Sequence, residues 1–499
     1  MEPKHAPEPG HNKYTKLAGN TMIFAISSFS SKLLTLIVQP FLTYAMRDVQ
    51  SMGVSKLLSQ CANLLIPLVS MGMSNAIIRF GLDKGNSKKQ VFTNGLLTIL
   101  LGYAVLLLCW PLLSLAPGIG DYGVFLCIYV LTSCLRTLCT QFIRSRQLNR
   151  LVGIDGVLCT FATLMFYILY LVVLDMGAEG YLLAIICGDV TSSLFLFCTG
   201  KLWRYIDFRF INRALWREML RFSLPMIPAQ ISFWIINASD MFFVNAMCDG
   251  YGGRTGPEWS GLLSTGYFLP TILNTLGTIF YDAWQLSAVT EEKGRSHFFS
   301  TVFRSYASVM FCCAAGILWL CRPVMLIMKS SYFDAWQFVP YLTLAAVFTC
   351  FTQFMNSIYV VYKRSTHSLY TMMAGAVANC AMNYLGILWF GPVGVTYASF
   401  LAMVLVFVLR AVDSRQLIQL RLHPVHMTVN VAFLVIEAAV TLAEVPFYGL
   451  WTGLLCGVVI LYNFDGVWAM GRAILPRVLG RRAAPLVAWV DGVVAKVYH

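Results

Sequence analysis

Asn20–Met46, NTMIFAISSFSSKLLTLIVQPFLTYAM, is long and apolar enough to cross a bilayer as one helix, yet Lys32 sits well inside it. A lysine at the bilayer centre costs roughly 2.5–3.5 kcal/mol on insertion scales, so it faces a protein interior or a wet cavity. Ser28, Lys32, Thr35, Gln39 and Thr43 follow at helical spacing and share one face. The next span repeats the device with Lys56, Gln60, Asn63, Ser70 and Ser74, and a later one with Thr132, Arg136 and Thr140. Hydrogen bonding between helices explains the serines and threonines, at roughly 0.6 kcal/mol per contact. It explains the cations poorly, because Asp48, Asp83 and Asp121, the nearest acids among the first four spans, lie in loops.

Composition extends this reading to the whole chain. Its 499 residues are 58% hydrophobic and 12% charged, which excludes a soluble globular domain. About fourteen stretches can cross a bilayer. In lipid, continuous helices satisfy their own backbone groups, so the expected fold is an all-α polytopic membrane protein. The net charge of +13 follows the positive-inside rule rather than a nucleic-acid footprint. Basic residues crowd alternate connections, as at Lys84–Lys89, Arg144–Arg150, Lys201–Arg217 and Arg410–Arg421, while the other connections hold few. Both termini are expected in the cytoplasm. Met1–Gly19 has no apolar core of a cleavable signal. The fifteen cysteines are scattered and suit apolar packing better than metal binding or disulfides.

The basic, aromatic-rich connection Lys201–Arg217 divides the spans into two sets of six. Repetition supports the division. Gly177-x-x-Gly180-x-x-x-Ala184 recurs as Gly391-x-x-Gly394-x-x-x-Ala398, and Gly53 and Gly261 open the second and eighth spans at a similar offset. Such repeats typify transporters. The expected organisation is a cytoplasmic segment 1–19, an N-lobe 20–200, a linker 201–217, a C-lobe 218–411, two further spans within 425–469 and a basic tail 470–499. The lobes are expected to be related by a pseudo-two-fold axis.

The second lobe carries amides and acids in place of cations. Gln230, Asn237 and Asp240 lie on the seventh span, and Asn274, Asp282 and Gln285 on the eighth. Thr349, Gln353 and Asn356 share a face on the tenth, and Asn379 and Asn383 are four apart on the eleventh. A cationic wall and an amide-rich wall suit a ligand with an anionic part and a hydroxyl-rich part. Lys32, Lys56, Arg79 and Arg136 are the expected diphosphate contacts. Gln39, Asn63, Trp234, Asn237, Trp284, Gln285, Gln353 and Asn356 are the expected sugar contacts, with Tyr359 a further aromatic of that kind. Asp189, Asp240 and Asp282 either couple ions or pair with the buried cations. Pro225 and Pro228 predict a kink at the start of the seventh span. No nucleotide-binding, metal-ligand or nucleophile motif is present, so no cofactor is expected and the chain reads as a transporter rather than an enzyme.

Five stretches resemble the lipid-linked oligosaccharide flippases of the multidrug/oligosaccharidyl-lipid/polysaccharide exporter superfamily. They are Met71–Phe80 (MGMSNAIIRF), Phe222–Asp240 (FSLPMIPAQISFWIINASD), Phe280–Ala288 (FYDAWQLSA), Tyr332–Leu342 (YFDAWQFVPYL) and Ala378–Ala398 (ANCAMNYLGILWFGPVGVTYA). Many members carry an arginine after the aspartate of the seventh span, where this chain has Met241. The resemblance implies a two-lobed bundle working by alternating access. It also implies a polyprenyl-diphosphate-linked oligosaccharide as substrate, carried to the outer leaflet of a bacterial plasma membrane. Membrane lipid, and glycosyltransferases and a polymerase of the same pathway, are the expected partners; nucleic acid is not. The alternatives are a peptidoglycan-precursor (lipid II) flippase, a cation-coupled multidrug exporter of the superfamily and, more distantly, a membrane glycosyltransferase or polymerase.

Overall fold

The computed structural model describes residues 37–469, apart from 84, 114–119, 291–294 and 363, together with residue 472. The described elements are helical. α1 (residues 37–45) comes first, and α2 (Val49–Val69), α3 (Met73–Leu82), α4 (Lys88–Leu113), α5 (Gly123–Ser145), α6 (Asn149–Tyr167) and α7 (Gly177–Thr199) follow. Then come α8 (Arg213–Ser223), α9 (Ile227–Met247), α10 (Gly256–Gly266), α11 (Phe268–Thr290) and α12 (Arg295–Met325). α13 (Val339–Val361), α14 (Ser365–Phe390), α15 (Gly394–Ser414), α16 (Pro424–Leu442) and α17 (Tyr448–Tyr462) complete the chain. Each expected span falls, over its described residues, on one or two of these helices. The chain is an all-α polytopic membrane protein, and among the described residues ten helical stretches are long and apolar enough to cross a bilayer.

Several spans are broken where the local sequence demands it. The second span divides because Met71 and Gly72 take left-handed backbone, at φ 49° and 63°, just after Pro67. A helix cannot continue through that geometry, so α3 leaves in a new direction. The prolines of the seventh span act as expected: Leu224–Met226 is a single 3-10 turn between α8 and α9. The linker was expected to run to Arg217, but helix begins earlier. Asn212 Oδ1 accepts from the backbone N–H groups of Ala214 and Leu215 at 3.0 and 3.1 Å, an N-cap that starts α8 inside the basic segment. α8 buries Leu215 and Met219 and exposes Arg213, Arg217 and Arg221.

The chain forms two compact units. One comprises residues 1–234 and 257–261, the other residues 235–256 and 262–499. In the first, α5 and α7 pack against each other and against α2. A close backbone approach there involves the glycine pair noted above. A Cβ on Gly53 would lie 1.8 Å from the Pro257 carbonyl oxygen, and one on Gly261 would lie 2.2 Å from the Val49 carbonyl oxygen. Only glycine permits that backbone contact. Gly177 and Gly391, the other repeat pair, both have positive φ, at 57° and 63°.

The second unit is built around α13, which lies in the most buried of the candidate spans. Trp284, Phe299, Phe303, Phe351, Phe354 and Phe407 interlock there at ring separations of 4.8–6.3 Å, stacked, tilted and edge-on. Lipid tails are as apolar as these rings, so close dispersion contact rather than escape from water holds this core. α16 and α17 pack against α12 in the same unit.

Candidate functional site

Lys56 lies at the start of the polar face of α2, half-buried. Its Nζ donates to Gln39 Oε1 of α1 at 3.3 Å and stands 5.4 Å from the ring centre of Tyr181 on α7. Among the described residues no carboxylate pairs with it. An amide oxygen and a ring face orient an ammonium without neutralising it. Gln60 and Asn63 continue the stripe; Asn63 is exposed, and its Nδ2 reaches Gln60 Oε1 at 3.5 Å. Trp234 Nε1 donates to the Gln60 carbonyl at 2.9 Å, leaving the ring half-buried beside α2. Lys32 lies outside the described residues. Arg79 is exposed at the end of α3, its guanidinium 5.1 Å from the Phe222 ring.

Arg136 departs from expectation. It was expected to contact the diphosphate because no acid in the first four spans could pair with it, but α6 and α7 bring two, and of the two roles open to Asp189 the structure shows pairing with this cation. Its Nη1 meets Asp189 Oδ1 at 3.3 Å, and its Nε donates to Ser192 Oγ at 3.2 Å. Ser192 donates onward to Asp155 Oδ1 at 2.6 Å, and Ser133 donates to the other oxygen of Asp189. Asp155 and Asp189 are 1% and 4% exposed, so the cluster holds one guanidinium against two buried carboxylates. It is no free anion site. Asp155 went unnoticed in the sequence, although an acid inside the apolar run of α6 was the available signal. Thr132 and Thr140 bond to carbonyls of their own helix.

In the second unit Asp240 of α9 is fully buried. Tyr267 Oη and Asn383 Nδ2 each donate to it at 2.8 Å, and Ser399 Oγ donates as well. Ser239 and Asn379 close the network: Ser239 Oγ donates to Asn379 Oδ1 at 2.8 Å, and Asn379 Nδ2 to Ser399 Oγ at 3.4 Å. The Asn383 Oδ1 atom is buried without a donor among the described residues. No basic side chain pairs with Asp240 among those residues either. A carboxylate oxygen, an idle amide oxygen and nearby hydroxyls form a cluster whose chemistry suits a proton or a small cation.

Other expected contacts fall elsewhere. Trp284 is not available to a sugar: it is 4% exposed, stacked on Phe354 and bonded through Nε1 to Ser357 Oγ at 3.0 Å. Tyr359 is likewise buried, its hydroxyl donating to Asp413 at 2.7 Å. Asn356 is committed at both ends, donating to Tyr281 Oη at 3.3 Å and accepting from Ser368 at 2.6 Å. Gln353 is half-buried, with its Oε1 unpartnered among the described residues, and Asn237 is exposed on α9. The side chains of Asp282 and Gln285 lie outside the described portion. Arg410, counted above as a basic residue at a cytoplasmic connection, is buried within α15. It donates to the Thr352 carbonyl at 2.7 Å and to hydroxyls of Thr371 and Ser368 at 3.1 and 3.0 Å.

Comparison with known proteins places these features. The chain covers 91% of its own length and all of the other in matching "Lipid II flippase MurJ, inward closed conformation", with a TM-score of 0.69 and 13% identity. An inward-facing multidrug-resistance transporter of the MATE family and MOP superfamily matches with a TM-score of 0.58 and 16% identity, over 79% of this chain and 98% of that one. A MOP superfamily transporter from Pyrococcus furiosus, described as having a binding pocket of reversed polarity, matches with a TM-score of 0.51. At these identities the likeness establishes the fold, that of MOP-superfamily transporters. No curated protein matches at the sequence level. The polysaccharide biosynthesis protein family, however, matches residues 17–284. With more than half of its length matched, the chain belongs to that family of membrane proteins.

Proposed function

We propose that the chain is a flippase that carries a polyprenyl-diphosphate-linked oligosaccharide from the inner to the outer leaflet of a bacterial plasma membrane. It would do so by exposing its binding site alternately to the two sides, with both termini in the cytoplasm. The observation that carries this reading is Lys56: a half-buried ammonium inside a membrane span, held by an amide and a ring and neutralised by no described carboxylate. Retaining such a charge is costly unless an anion visits it. Lys32, on the preceding span, and Arg79, at the end of α3, extend the cationic contact. Arg136 keeps a partly exposed guanidinium but is already paired, so it orders the wall rather than supplying its charge. Asn63 and Trp234, in the same unit as Lys56, are the sugar contacts consistent with their exposure; glycosyltransferases and a polymerase of one assembly pathway are the fitting partners.

The Asp240 cage supplies coupling in this scheme. A proton or small cation bound there would compensate a carboxylate that has hydrogen bonds but no counter-charge. Asp240→Asn then preserves the fold and removes the dependence of flipping on an ion gradient. Unchanged gradient dependence in that variant would reject the assignment.

The function is tested with purified protein in liposomes. Fluorescent lipid-linked oligosaccharide should cross in its presence, and failure to move it would overturn the proposal. A second reading is a lipid II flippase, favoured by the coverage of that fold match, in which lipid II crosses and the oligosaccharide lipid does not.

A further inference from the structure

α16 carries one polar face from end to end. His426, Asn430, Glu437 and Thr441 recur at helical spacing, with Leu434 filling the turn between. Most of this face is satisfied. Asn430 and Asn463 of the following chain exchange amide hydrogen bonds, and Asn430 also lies 3.4 Å from His426 Nδ1. Thr441 donates to the Glu437 carbonyl at 2.8 Å, and its own carbonyl accepts from Arg322 at 3.0 Å. The exception is the Glu437 side chain. It is fully buried, and among the described residues neither carboxyl oxygen has a hydrogen-bond partner. Its surroundings are apolar: Leu434, Ala438, Cys456 and Val459 belong to one buried cluster.

The helices packed on α16 offer it no counter-charge. α13 and α17 contain no Asp, Glu, Lys, Arg or His. Their titratable groups are Tyr341, Cys350 and Tyr359 on α13, and Tyr448, Cys456 and Tyr462 on α17. α12 supplies Arg295, His297, Arg304, Tyr306, Cys312, Cys313, Cys321 and Arg322. Arg304 is paired with Asp465, and Arg322 with Glu444 at 3.2 Å. On α16 itself the other titratable group is His426, about three turns away.

An ionised carboxylate buried with no cation and no donor is strongly disfavoured. A metal cation would need several oxygen ligands, and among the described residues no polar side chain hydrogen-bonds with the Glu437 carboxyl. A proton needs only one, because it bonds covalently to a single carboxyl oxygen. We propose that Glu437 is a proton-binding site, separate from the Asp240 cage, and that loss of its proton loosens α16 and α17 from α12. The proposal stands whichever lipid the protein carries. Deprotonation would place an unpaired charge in the packed seam, where separation of the helices and entry of water is the available relief.

Infrared difference spectroscopy of the reconstituted full chain tests this. Wild type minus Glu437→Gln should show a protonated-carboxyl C=O band at about pH 5 that is lost as pH rises, about tenfold per unit beyond its midpoint. Wild-type thermal stability should fall as pH rises from the ordinary Glu range toward that midpoint and level off beyond it, and that of Glu437→Gln, locked neutral, should not. Carbodiimide labelling of wild type, mapped by mass spectrometry, gives the same reading if the variant fails to fold: modification at Glu437 that declines with pH. Absence of both the band and the label at Glu437, or a signal independent of pH, overturns the proposal. Equal stability profiles for the two proteins overturn the loosening step.

Discussion

Lys56 and Arg136 show why one residue type in one setting does not carry one meaning. Both are cations inside apolar spans, and both looked unpaired while acids were sought in neighbouring spans. Arg136 finds Asp189 across helices far apart in the chain, and among the described residues Lys56 finds Gln39 and Tyr181. Lys56→Gln should therefore weaken substrate binding. Hydrogen bonds to charged groups contribute about 1.5–3 kcal/mol, a roughly 10- to 100-fold rise in the KM of flipping. Lys56→Arg should retain most of the activity, and Lys56→Glu should abolish it without loss of membrane-inserted protein. Full activity in Lys56→Glu would remove the diphosphate contact. A second residue-scale expectation concerns Asp175, outside the spans. Its hydrogen bond from Arg47, at 2.8 Å, holds the carboxyl below its usual range. A depressed carboxylate stabilises the folded state above the ordinary Asp range and loses that contribution as pH falls through the folded value. Both side chains are well exposed, so the effect is small and screened by salt. Asp175 adopts φ 49°, which Asn tolerates. Melting temperature against pH should thus show a slightly shallower acid limb for Asp175→Asn than for wild type, and identical limbs would refute the linkage.

Elements in this fold are distinguished by how closely they approach. Gly53 of α2 and Gly316 of α12 are both glycines within helices, but their settings are opposite. A Cβ at Gly53 collides with the Pro257 carbonyl, whereas one at Gly316 meets nothing within 4 Å. Gly53→Ala should cost about 1–3 kcal/mol through overpacking against backbone that cannot give way. Gly316→Ala should be neutral or stabilise by about 0.5–1 kcal/mol, since it removes a helix-weakening residue without strain. Thermal unfolding in detergent distinguishes them, and equal shifts would show that the close approach at Gly53 is not rigid. The breaks inside spans were partly legible. Pro225 and Pro228 announced the turn before α9, and Gly72 with Pro67 could have announced the end of α2. The early start of α8 was visible only as Asn212, a residue that caps helices and terminates loops with similar ease.

For the whole molecule, the distribution of basic residues predicts orientation. A fluorescent-protein fusion after residue 499 should fold and fluoresce in the cytoplasm, and an alkaline phosphatase fusion in the 326–329 connection should be active outside. The opposite pattern would invert the proposed direction of transport.

Hydropathy, span length and the placement of lysine and arginine were enough to establish a many-helix membrane protein. The reason is physical: backbone groups in lipid must be satisfied locally, so each apolar run of sufficient length declares itself a helix without reference to its neighbours. Which polar side chains meet was decided only by tertiary packing. Asp155 reaches the Arg136 cluster from α6, Asn379, Asn383 and Ser399 gather around Asp240 from α14 and α15, and Trp284 turns into the aromatic core. Helical periodicity assigns a residue to a face, but the rotation of that face toward a partner, a ligand or lipid depends on every helix packed beside it.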